Sequence, residues 1–227
     1  MRQELREICA PVLHEVLNHP FWTGLRDGTL PAAALARFVH QDTAYLLPAY
    51  ARALARCAAD ATDDAGARLL GQSVVGTLDA RDGLRAAHAA LAPGLGLPEP
   101  DSVEEPVAPA VAVHAAFFTS SAASSYHAGV GALLPMVWFN AEVSDHLRDH
   151  AVPGNRYLPW ITAYHPGESY RFAVEAFAEL ADRLGERSTP AQRRLITTHF
   201  TLGIHHELAF ADACAAPAAR PTGRGAR

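Results

Sequence analysis

The sequence predicts an all-α protein, a single up-and-down helical bundle, and three observations carry that expectation. Alanine is abundant while β-branched residues are few, and alanine loses no side-chain entropy in a helix. Apolar residues recur at three- and four-residue spacing through most of the chain, and no stretch alternates convincingly with period two. At 227 residues the chain can bury one sizeable core, and nothing in it resembles a hinge between two domains. Residues 1–216 are therefore read as one helical domain, with its pocket between helices.

The first helix is expected over residues 4–18, where Leu5, Ile8, Val12, Leu13 and Val16 form one stripe. Pro20 ends it, and the segment from His19 to Leu30 reads as a loop feeding the next helix. Gly28 and Pro31 bracket a turn there, since glycine accepts unusual backbone angles and proline suits the first helical turn. A second helix spans 31–61, with Pro48 expected to bend it and widen a pocket. Asp63 and Asp64 read as the N-cap of a helix over 65–92, stopped by Pro93 and the glycines after it. The stretch 97–109 holds four prolines and four acids and is expected to be the longest surface loop.

Helices follow over 110–125 and 126–150, the latter with Pro135 as a kink, and Pro153-Gly154-Asn155 breaks the chain. The pattern then predicts a helix over 157–183 and a last one over 190–215, capped by Ser188-Thr189-Pro190. Residues 217–227 are rich in Pro, Gly and Arg without an apolar pattern and are expected to be disordered.

Composition excludes several function classes. A net charge of −5 and pI near 6.2 argue against a nucleic-acid partner, because phosphate neutralisation needs a basic face. No run of about 20 apolar residues suggests a membrane span, and residues 1–7 are charged throughout, with no apolar signal core. Cys9, Cys57 and Cys214 are odd in number and far apart, which suggests neither a disulfide framework nor a metal knuckle. A soluble, cytoplasmic protein is the expectation.

Certain residues break the apolar pattern in ways that suggest chemistry. Asp42 sits on an otherwise apolar stripe with Ala34 and Phe38, where an ionised carboxylate needs a partner, and Tyr45, three residues on, projects from nearly the same face. Tyr157, Trp160 and Tyr164 share a face at helical spacing, an arrangement as suited to a core as to a ligand. Glu207 lies midway along the last helix between Ile204 and Leu208, beside His205 and His206. Glu142, Asp145, His146, Asp149 and His150 form a dense acid and histidine run, read as a solvated helix end rather than a metal site. No cofactor and no metal is expected.

Taken together, His19-Pro-Phe, Asp27-Gly-Thr-Leu-Pro31, Phe38-x-x-Gln-Asp42-x-x-Tyr45-Leu and Tyr157-x-x-Trp160-Ile-x-x-Tyr164 resemble the TenA/thiaminase II family. The resemblance covers roughly residues 5–215 and implies a heme-oxygenase-like fold and a homodimer or homotetramer. It further implies that Asp42 holds the aminopyrimidine ring of a substrate, that Tyr45 and Tyr164 pack on that ring, and that Glu207 exchanges protons with the substrate amine. Two positions depart from the family pattern. Its nucleophilic cysteine falls on Met136, within Leu134-Pro135-Met136-Val137-Trp138, and a thioether cannot form a thiolate. Its ring-hydrogen-bonding tyrosine falls by counting on Val113, with His114 beside it.

The function implied is a hydrolase of C–N bonds or a related acid/base enzyme acting on a small heteroaromatic molecule, and Asp42, Tyr45, Val113, Met136, Tyr164 and Glu207 are its candidate site residues. Two alternatives stay open: a metal-dependent oxidase on the same scaffold and a non-catalytic carrier of a small ligand.

Overall fold

The structure, a computed structural model, describes residues 1–96, 105–167 and 169–215. It is helical throughout. The first helix, α1 (Arg2–Leu17), buries the predicted stripe through Leu5, Val12 and Val16. The segment expected as a loop contains a helix of its own, α2 (Pro20–Asp27). His19 makes that possible: its Nδ1 accepts the Phe21 amide at 3.2 Å, and Pro20 occupies the first turn, where a missing N–H costs nothing. Gly28, at φ 78°, then closes the helix in the left-handed region.

The predicted second helix is three consecutive pieces: α3 (Ala32–Gln41), a π-helical turn over Asp42–Leu46, and α4 (Leu47–Ala59). Pro48 supplies the reason. Its ring would collide with the carbonyl four residues back in a regular helix, and it has no N–H to give that carbonyl. The wider turn takes up the misfit, with the Leu47 amide donating to the Asp42 carbonyl. The disturbance expected from Pro48 thus falls on residues 42–46, on the Asp42 and Tyr45 pair itself.

Next comes α5 (Asp64–Leu95), 32 residues long and capped by Asp63, whose Oδ1 accepts the Gly66 amide at 2.7 Å. The expected stop at Pro93 is overrun by two residues, since the helix ends at Gly96 with φ 67°. Residues 97–104, most of the expected long loop, and the expected tail at 217–227 lie outside the described residues. The described part of that loop is tied to α3. Gln41 donates to the Pro106 carbonyl at 3.1 Å and accepts the Ala108 amide at 2.8 Å, while Arg37 pairs with Glu105 at 3.1 Å.

Two helices follow, α6 (Pro109–Ser124) and α7 (Tyr126–His150), and α7 runs through the middle of the bundle. It packs against α10 (Pro190–Ala215) so closely that a Cβ on Gly131 would sit 2.4 Å from the Ile196 carbonyl oxygen. The connection after α7 also fixes the α2–α3 corner, because Asn155 donates to the Leu25 and Arg26 carbonyls at 2.7 and 2.8 Å. Tyr157, fully buried, donates to the Leu30 carbonyl at 2.5 Å. The helix expected over 157–183 is divided into α8 (Leu158–Tyr164) and α9 (Ser169–Glu186), with Pro166 and Gly167 at the break.

The acid and histidine run at the end of α7 has a structural use. Asp145 bonds His165 at 2.9 Å, Arg148 at 3.2 Å and Arg171, so it ties α7 to the start of α9. Glu142 is exposed and His146 stacks on His150 with ring centroids 4.4 Å apart. No group of three or more His, Cys, Asp and Glu side chains is placed to hold a metal among the described residues, and no described helix is long and apolar enough to cross a membrane.

Candidate active site

A cavity of about 740 Å³ opens between the π-helical turn, α5, α7, α9 and α10. Its inner end gathers side chains that the sequence places far apart: Asp42 from the π turn, Tyr50 from α4, Asn140 from α7, Tyr164 from α8, Tyr170 from α9 and Glu207 from α10. Asp42 is 5% exposed, and no hydrogen bond reaches its carboxyl from the described residues. Burial among apolar groups pushes its pKa up to about 7. Glu207 is likewise without a hydrogen bond at its buried Oε1, and burial, reinforced by the Asp42 charge, pushes its pKa up to about 8. Near neutral pH Glu207 is thus mostly a carboxylic acid and Asp42 is divided between its two forms.

Behind Glu207 stands His114, 1% exposed, with Nε2 3.8 Å from Glu207 Oε1 and neither ring nitrogen hydrogen-bonded. Desolvation first and the neighbouring His206 second lower its pKa to about 3, so the ring is neutral. It is clamped by stacking on His206 at 5.1 Å and by tilted contact with Phe118 at 4.4 Å. A small rotation of the Glu207 carboxyl would bring the two into hydrogen-bond range.

One wall is aromatic. Tyr164 stacks on Trp160 with centroids 4.8 Å apart and 15° between planes, and lies 5.7 Å from Trp22. Phe38 meets Phe21, Trp22, Trp160, Tyr164 and Phe210. Asn140 hydrogen-bonds the Tyr164 side chain, whose pKa burial raises far above the phenol range. The result is a rigid apolar plate beside two carboxyls, an arrangement that suits a flat ring bearing hydrogen-bonding nitrogens.

Of the predicted site residues, the structure brings Asp42, Met136, Tyr164 and Glu207 to this cavity. It does not bring Tyr45 or Val113. The wide π turn leaves three residues well short of a full revolution, so Tyr45 swings away from Asp42 and its hydroxyl donates to the Glu105 carbonyl at 3.1 Å. Val113 is 57% exposed, facing out of α6, while the neighbouring His114 is buried. One residue along a helix is a change of face. Tyr50, Asn140, Tyr170 and Phe210 went unnoticed. Asn140 lies four residues after Met136 and Phe210 three after Glu207, so helical spacing from known members carried that signal. Tyr170 offered none, because it follows the break at Pro166 and Gly167.

Comparison with known proteins bears on this arrangement. The sequence profile of the TENA/THI-4/PQQC family matches residues 3–215. The chain belongs to that family. Among curated TENA/THI-4/PQQC relatives it is 29% identical over 210 residues to an aminopyrimidine aminohydrolase of Bacillus subtilis, covering 92% of this chain and 86% of that one. A second aminopyrimidine aminohydrolase, from Halalkalibacterium halodurans, is 28% identical over 184 residues, covering 79% of this chain and 76% of that one. Among solved structures, a TenA homologue from Pyrococcus furiosus superposes with a TM-score of 0.81 at 17% identity, covering 94% of this chain and all of that one. One from P. horikoshii superposes at 0.76 with 24% identity, covering 93% of this chain and 96% of that one. These structural likenesses establish the all-helical heme-oxygenase-like fold. No cysteine lines the cavity among the described residues; Cys9, Cys57 and Cys214 are all buried, and Met136 occupies the place that the family resemblance gives to a thiol.

Proposed function

We propose that the protein is a TenA-class hydrolase that cleaves a C–N bond attached to a flat nitrogen heteroaromatic ring of the aminopyrimidine type. The observation that carries this reading is the convergence of Asp42 and Glu207, 165 positions apart in the sequence, on one cavity where neither carboxyl has a hydrogen-bond partner among the described residues. Buried carboxyls left without partners are costly unless a ligand completes them. Asp42 pairs with the ring nitrogen and exocyclic amine of the bound molecule, and Tyr164 stacks on its face.

Glu207, held protonated near neutrality, supplies the proton that a leaving amine requires, which is the role a raised carboxyl pKa suits. With Met136 in place of a thiol, water is the nucleophile. Its oxygen bonds to carbon as the C–N bond breaks, the amine takes the proton of Glu207, and the proton shed by the water restores it. The relatives named aminopyrimidine aminohydrolase support the reaction class. A second reading, a carrier that binds such a ring without turning it over, is favoured by Met136 alone.

The deciding experiment measures binding and hydrolysis of aminopyrimidine substrates separately. Wild type is expected to bind and to turn over slowly; Asp42→Ala should abolish binding with helicity and cooperative unfolding intact, and Glu207→Ala should abolish turnover with binding retained. Binding without any turnover selects the carrier. Absence of binding refutes both readings.

A further inference from the structure

The cavity is longer than its polar end requires. Along α5, Ser73, Gly76, Thr77, Ala80 and Gly83 recur at three- and four-residue spacing and all face it, between Leu69 at one end and Leu84 at the other. In a packed helix this is the stripe that would carry large apolar side chains. Here it carries small ones only, over ten residues or about 15 Å of helix. Across the gap, α9 presents Ala173 and Ala176, with Phe172 at the mouth, 79% exposed. Two faces of small residues normally let helices close on each other; these stand apart and leave a cleft between them, in which Gly76, Ala80 and Gly83 are open to solvent. A Cβ on Gly76 or Gly83 would meet no atom within 4 Å.

The helix is held in this position from its ends. At the start, Leu70 is fully buried and the Gly66 Cα faces Tyr126 and Leu180; at the end, Leu84 and Ala92 are buried. The channel wall between them is also apolar in practice. The Ser73 hydroxyl donates to the Leu69 carbonyl at 2.9 Å and that of Thr77 to the Ser73 carbonyl at 2.7 Å, so both present carbon to the gap. Gln72 and Asp79, both exposed, stand at the rim. At the inner end of this channel lies Asp42, 5% exposed and without a hydrogen-bond partner among the described residues.

We infer that the substrate is amphipathic: a flat, nitrogen-containing ring held at Asp42, bearing on the nitrogen that is cleaved an extended apolar substituent that lies between α5 and α9. The inference rests on the proposed function for the head and adds the tail, which a bare aminopyrimidine lacks. The leaving amine then departs with its chain along the channel toward the mouth at Phe172, while the ring stays against Tyr164.

The test uses an aminomethyl-aminopyrimidine whose exocyclic amine carries methyl, propyl, pentyl or heptyl, with dissociation constants measured by calorimetry on the full chain. Each added methylene should tighten binding about two- to fourfold until the chain reaches the mouth, fourfold corresponding to complete burial. Gly76→Leu and Gly83→Leu put bulk into the cleft at positions where a Cβ meets no atom within 4 Å and remove helix glycines, so these variants should fold at least as well as wild type. They should erase the gain from the longer chains while binding the methyl compound as wild type does. A constant affinity across the series, or a gain that survives both leucines, overturns the tail and leaves the head reading in place. If no member of the series binds, the head reading fails and the inference fails with it.

Discussion

The pH dependence of stability tests the electrostatics of the site without needing a substrate. In the folded protein burial lifts Asp42 to about 7 and Glu207 to about 8, whereas in the unfolded chain both return to roughly 4. Between those values the folded state holds protons that the unfolded state has released, so stability falls as pH rises. The protonated carboxyls are fully accommodated below pH 4, and that contribution is lost as pH passes through 7 and 8. Integrated from pH 6 to pH 9, Asp42 accounts for roughly 1.4 kcal/mol and Glu207 for roughly 2.7 kcal/mol, about 4 kcal/mol together. Other groups titrate in the same range. His114 and His206 are lowered by burial, which makes stability rise with pH up to about 6.5, and Cys9 is raised to about 11, which makes it fall above about 8.5. The comparison that isolates the pair is therefore wild type against Asp42→Asn with Glu207→Gln, unfolded by heat or denaturant at each pH. Over pH 6–9 wild type should lose about 4 kcal/mol relative to this variant, roughly 8–16 °C in Tm for a chain of this size. A difference that stays constant within about 1 kcal/mol, a small part of that slope, would show both carboxyls ionised throughout, and the assignment of Glu207 as the proton donor would go with it.

Three further outcomes follow from particular contacts. Met136→Cys places a thiol at the cavity wall beside the proposed proton donor, and turnover of aminopyrimidine substrates should rise at least tenfold with little change in binding; no gain would show that turnover does not depend on a thiol at this position. His114→Phe preserves the stacking on His206 and Phe118 but removes the imidazole that stands 3.8 Å from Glu207, so the pH profile of kcat should move upward and kcat fall about ten- to hundredfold with KM held. An unchanged profile would make His114 a packing residue. Gly131→Ala drives a Cβ to 2.4 Å from the Ile196 carbonyl oxygen, and the α7–α10 contact cannot yield on either side. Thermal unfolding should drop by roughly 4–8 °C despite the better helix propensity of alanine, a loss of about 2 kcal/mol; a neutral result would mean that the two helices are not packed this closely.

The fold was legible because its signal is periodic and redundant. The helices at 4–18, 126–150 and 190–215 were found to within about two residues, since an error at one apolar position is outvoted by its neighbours. What escaped was local chemistry at helix ends. A histidine is not a usual N-cap, so nothing in His19-Pro20 announced α2, although Nδ1 is an acceptor when the other nitrogen faces Asp212, as it does at 3.0 Å. The division of the helix expected over 157–183 is marked in the sequence by Pro166 and Gly167, a pair that cannot continue a regular helix.

The site shows how much a single non-periodic turn can change. Asp42 and Glu207 needed only the right face, and each lies on a stripe whose apolar neighbours mark that face as inward. Tyr45 needed the turn to be regular as well, and it is not. Pro48 forces one wider turn beginning at Asp42, which leaves the carboxyl at the cavity and carries the phenol away to the Glu105 carbonyl. That same displacement frees space beside Asp42, where Leu46, Leu47 and Tyr50 come to line the cavity from the next turns. A proline six residues downstream therefore decides which side chains a ligand meets. Had Pro48 been alanine, regular helical spacing from Asp42 would have been expected to return Tyr45 to the pocket, and the carboxyl would have gained a phenol as its neighbour in place of open volume.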